Sequence, residues 1–60
     1  PTEEIKQFLR ELIGIANNVN QIARVANTHM YVPMEQFDEA KNELADFILK
    51  FENKIFSRER

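Results

Sequence analysis

The chain has no cysteine and no tryptophan, and only one glycine, two prolines and one histidine among its 60 residues. Without cysteine, neither a disulfide nor a thiolate metal site can brace so short a chain. With so little glycine and proline, long uninterrupted elements are expected, because these residues punctuate regular structure. No apolar run approaches the roughly 18 residues of a membrane span and no secretory leader is visible, so the expected compartment is cytoplasmic. A positive surplus is also missing. Eight Lys and Arg against ten Asp and Glu leave a formal net charge of −2. Non-specific nucleic-acid binding draws on clustered cations, so this stretch is not expected to be the main electrostatic anchor on DNA. The chain opens on Pro1 rather than Met, which reads as a fragment of a longer protein.

What is present is 43% hydrophobic and 30% charged residues, a balance that suits a folded helical domain. Sixty residues make a single domain. At that size only about 60% of the unfolded surface is buried, so association with another chain is a usual remedy.

Thr2 can cap a helix, with Glu3 and Glu4 in the first turn, where carboxylates complement the helix dipole. Ile5, Phe8, Leu12, Ile15, Val19, Ile22 and Ala26 then repeat at three-four spacing, and Leu9, Ala16 and Ala23 widen the stripe. The pattern predicts helix 1 over about 3–27. It breaks across residues 28–32, where Asn27 or Thr28 can end the helix and Pro33 can open the next. Phe37, Ala40, Leu44, Phe47, Ile48, Phe51 and Ile55 make a second stripe, predicting helix 2 over about 33–57. Asp46 and Lys50 stand in the favourable acid-before-base order for an i,i+4 pair.

A connection this short implies an all-α fold, an antiparallel two-helix hairpin. Two helices cannot cover stripes so wide, and Phe37, Phe47, Phe51 and Phe56 need a lid. The expected solution is a homodimer forming a four-helix bundle, with Leu12, Ile15, Val19, Ile22, Leu44, Phe47 and Phe51 as its core. A further helix from a longer parent chain is the competing explanation. Met30, Tyr31 and Val32 are expected to plug the bundle end.

Residues 14–27 carry the most unusual signal. Asn17, Asn18, Asn20 and Asn27 stand in a helix that would be more stable with Glu, Lys, Gln or Arg, since the Asn amide competes for backbone hydrogen bonds. At about 100° per residue, Asn20, Gln21, Arg24 and Thr28 fall within about 60° of Asn17, opposite the apolar stripe. Lys6 and Arg10 extend this ridge, Asn18 and Asn27 flank it, and Ile13 and Gly14 interrupt it. Gly14 costs about 1 kcal/mol against Ala in a helix, a loss usually tolerated where another backbone or a ligand comes close. Three readings stay open: a solvated face, buried amides that fix register, or a recognition surface. In the last, Asn and Gln can read adenine and Arg guanine, although Lys6, Arg10 and Arg24 alone would hold phosphates weakly.

The run Asn17-Asn18-Val19-Asn20-Gln21-Ile22-Ala23-Arg24, followed by Ala26-Asn27, resembles the amide-rich helix of bacterial mobilisation proteins of the MobC type. Ala16 stands where that family often carries Gly. The resemblance implies an accessory factor of the relaxosome, helping a relaxase at a transfer origin, with the present chain as a C-terminal helical region. Many members carry a ribbon-helix-helix DNA-binding segment before this motif, and no short amphipathic strand precedes helix 1 here. By carry-over, Asn17, Asn18, Asn20, Gln21, Arg24 and Asn27 become the candidate positions for contact with a partner or DNA.

Catalytic chemistry is not expected. His29 is the lone histidine, and neither a Glu-x-x-His pair, a phosphate loop nor a zinc spacing occurs. No cofactor and no metal are expected. Glu35, Asp38, Glu39 and Glu43 read as a solvated helix face or a contact for a basic partner. Lys50, Lys54, Arg58 and Arg60 complement the dipole at the other end. The expected function is a non-enzymatic, dimerising assembly domain whose partners are a relaxase or another conjugation protein, with DNA in the complex and no membrane. Direct DNA binding, or a generic helical adaptor unrelated to conjugation, are the alternatives.

Overall fold

Glu11, Asn18 and Glu4 of the first helix meet Lys50, Glu43 and Lys54 of the second, so the two helices run antiparallel. The computed structural model describes residues 2–59; of Arg58 and Glu59 it describes the backbone alone. Helix α1 spans Thr2–His29 and helix α2 spans Met34–Glu59. The pair forms an all-α hairpin measuring 48 × 18 × 11 Å, one helix thick in its shortest direction. None of its described helices is long and apolar enough to cross a membrane.

The turn departs from the sequence pattern in three ways. First, α1 continues through Asn27 and Thr28 to His29. Met30, not Asn27, takes the left-handed conformation, with φ of 60°, and its N–H donates to the Ala26 carbonyl at 2.9 Å. That bond closes a left-handed helix cap normally given to Gly or Asn, because a Cβ crowds the backbone there. Second, Pro33 caps α2 rather than forming its first turn: its carbonyl accepts the Phe37 N–H at 2.9 Å, and the helix proper begins at Met34. Third, Met30, Tyr31 and Val32 do not plug anything within the hairpin. They are 87%, 59% and 48% exposed, since a connection so tight has no length to fold back over the helix ends.

The seam between the helices is narrow. Ile15, Ile22 and Ala40 are its only buried residues among those described. At the open end of the hairpin Phe8 stands edge-on to Phe47 (ring centroids 5.8 Å apart, planes at 82°) and to Phe51 (5.3 Å, 86°). Phe47 and Phe51 stack on each other at 6.0 Å. Edge-to-face contacts of this kind add to area burial through the ring quadrupoles. Towards the turn the seam thins to small residues, and Ala40 lets the helices close.

Candidate functional site

Two surfaces carry what is unusual about the chain. The first is the outer ridge of α1. Asn17, Asn20, Gln21, Arg24 and Asn27 are all exposed on it, in the arc that helical spacing assigns them. Arg10 and Arg24 make no ion pair among the described side chains, whereas Lys6 lies 3.7 Å from Glu3. Asn18 faces α2, and its Nδ2 donates to Glu43 Oε1 at 3.4 Å; Gln21, at the edge of the ridge, lines the same groove against Gln36 and Glu39. Gly14 opens onto a shallow groove of mixed character, with Arg10, Glu11, Asp46 and Lys50 beside Ile15 and Phe47, and a Cβ there would meet nothing within 4 Å. Nothing within the hairpin itself therefore requires glycine at this position.

The second surface is an open apolar face. Contact with α2 takes up one flank of the α1 stripe through Phe8, Ile15 and Ile22. The adjoining flank, with Ile5 (53% exposed), Leu9, Leu12 and Val19 (49%), has no cover. On α2, Phe37, Leu44, Ile48, Phe51 and Ile55 are likewise 38–47% exposed. Because the helices are antiparallel, the uncovered flanks of both turn to the same side of the hairpin. The opposite side is polar, closed by Lys50 Nζ on Glu11 Oε1 at 2.6 Å and Lys54 Nζ on Glu4 Oε2 at 3.0 Å. The core set named from sequence thus divides. Ile15, Ile22 and Phe47 lie in the seam of one chain, Phe51 packs on Phe8 and Phe47 at its edge while staying 42% exposed, and Leu12, Val19 and Leu44 remain on the open face.

The hairpin as a whole, polar and apolar surface together, is more open than a compact globule. A compact monomer of 7.1 kDa exposes about 4,100 Å² by the usual scaling. This hairpin exposes 5201 Å², an excess of about 1,100 Å², compared with roughly 800 Å² covered per partner in a standard stable interface.

The edge pairs Glu11–Lys50 and Glu4–Lys54 were not read from the sequence. Their signal is the seven-residue spacing Glu4, Glu11, Asn18, which tracks the seam residues Phe8, Ile15 and Ile22 on the polar side. His29 is exposed, its ring 6.3 Å from that of Tyr31. Among the described residues no three His, Asp or Glu side chains converge as a metal site.

These features define a helical hairpin whose distinctive residues face outward on two surfaces instead of converging in a cleft. The family model for bacterial mobilisation protein (MobC) matches residues 9–50, which takes in the turn and most of both helices. The chain belongs to that family, which gives it a role in plasmid mobilisation. No curated protein and no solved structure matches it.

Proposed function

We propose that the hairpin is a non-enzymatic assembly domain of the mobilisation machinery, acting in the cytoplasm. Two copies associate through the open apolar face, and the amide ridge of α1 is left outside to contact a relaxase or another conjugation protein. The observation that carries this reading is the uncovered face itself. Ile5, Leu9, Leu12 and Val19 of α1 and Phe37, Leu44, Ile48, Phe51 and Ile55 of α2 stand exposed along it, a contiguous apolar patch of the kind that marks an interaction site. Dimerisation covers the excess area, and burying the two faces together turns a one-layer hairpin into a two-layer bundle.

The test separates the two surfaces. Val19→Glu, on the apolar face, abolishes self-association in sedimentation and with it partner capture. Asn20→Ala with Gln21→Ala, on the ridge, leaves self-association intact and removes capture of a relaxase from the same mobilisation system. Loss of self-association in the ridge variant, or full self-association in Val19→Glu, contradicts the assignment.

One observation favours a second reading, direct contact with DNA. Arg10 and Arg24 flank the amides and are not engaged in ion pairs among the described side chains. Titration with duplex DNA at varied salt tests it: measurable affinity with a steep salt slope, lost in Arg24→Ala, supports that reading.

A further inference from the structure

Between Met34 and Ser57 the open face of α2 is apolar except at two places. Counting about 100° per residue, Lys41 and Glu52 lie about 20° and 40° beyond Ile48, together on the outer margin of the face. Lys41 is weakly held, 3.9 Å from Asp38 with its side chain 65% exposed. Glu52 makes no ion pair among the described side chains. A charge on a face that is to be covered by apolar surface is costly unless its counter-charge arrives with the cover. These two have opposite signs and sit eleven residues apart, about 16 Å along the helix. A two-fold axis perpendicular to α2, passing between Asp46 and Phe47, carries each onto the place opposite the other.

We propose that α2 packs antiparallel on the partner's α2, in the register set by two reciprocal pairs, Lys41 with the partner's Glu52 and Glu52 with the partner's Lys41. This rests on the self-association proposed above and adds its orientation: α1 lies over the partner's α1 and the two turns point to opposite ends. The rival two-fold arrangement lays α2 on the partner's α1. The contacts of Glu43 with Asn18 and of Lys50 with Glu11 put Lys41 level with Asn20. All the carboxylates of α1 lie at Glu3, Glu4 and Glu11, so the rival leaves Lys41 without a counter-charge. The proposed arrangement does bring Lys6 level with the partner's Arg24. Both stand about 100° from the centre of the face, and Glu3 already offsets Lys6 at 3.7 Å.

The experiment is sedimentation equilibrium of the wild-type chain, Lys41→Glu, Glu52→Lys, the double variant, and an equimolar mixture of the two singles, with helix content checked by circular dichroism. Each single variant puts two like-charge pairs into its own dimer, so its dissociation constant rises on the order of tenfold. The double variant returns to within about threefold of wild type. The mixed singles form heterodimers in preference to either homodimer, because both pairs are then restored. If the wild-type chain dimerises but the double variant stays weak and the mixture shows no preference, the register is wrong while self-association stands. If the wild-type chain does not dimerise at all, the reading beneath it fails as well.

Discussion

The ring of Phe8 stands edge-on to the ring of Phe51, centroids 5.3 Å apart and planes at 86°, tying the first turns of α1 to the last turns of α2. With Phe47 it makes an aromatic cluster in a seam where, among the described residues, only two isoleucines and an alanine are buried. Phe8→Ala removes the ring that links both partners, at a cost of about 3 kcal/mol. Thermal unfolding followed by circular dichroism should show a chain largely unfolded at 37 °C, a severity reserved for this position.

The edge pair beside it is a different matter. Lys50 and Glu11 are 2.6 Å apart, but their side chains remain 59% and 40% exposed. Water and salt screen such a pair, so Glu11→Gln should cost no more than about 1 kcal/mol, and the difference from wild type should shrink in high salt.

Met30 holds a left-handed backbone with a side chain that is 87% exposed. Met30→Gly removes the Cβ crowding without losing a contact, and the Ala26 carbonyl keeps its donor. It should raise stability by about 1 kcal/mol, read as an increase in melting temperature.

Gly14 sits in mid-helix at ordinary φ with open space where a Cβ would go. Gly14→Ala should stabilise the isolated protein by about 0.5–1 kcal/mol. If the groove beside it receives a partner closely, the same variant should lose affinity in a binding assay while melting higher.

On the ridge, Asn20→Ala with Gln21→Ala removes amides that are exposed. Melting temperature should hold or rise slightly, since Ala is the better helix former. A large fall would mean that the amides are structural.

Both helices and the hairpin were legible because three-four spacing survives any detail of packing. Which part of the stripe faces the neighbouring helix was not. From Ile22 through Val19 to Leu9 the apolar arc of α1 spans well over a third of the cylinder, and the helix wheel alone cannot say which flank the turn presses onto α2. Ile15 and Val19 therefore looked equivalent in sequence, though one is buried and the other half exposed. The end of α1 was misplaced because Asn27 has the propensity for a left-handed cap and Met30 does not; backbone geometry at the turn overrode it. Lys50 shows the same override. Local order favours Asp46, yet Glu11 of the other helix takes the ammonium. The ridge of Asn17, Asn20, Gln21 and Arg24 was legible as an outward arc, while Asn18, one step round the helix, turned out to bridge to Glu43.

The decisive measurement is the mass of the unmodified chain in solution by analytical ultracentrifugation across micromolar concentrations. An apolar face covered by a second copy predicts a species of twice the chain mass that dissociates on dilution. A stable, fully helical species of single-chain mass throughout that range would contradict it.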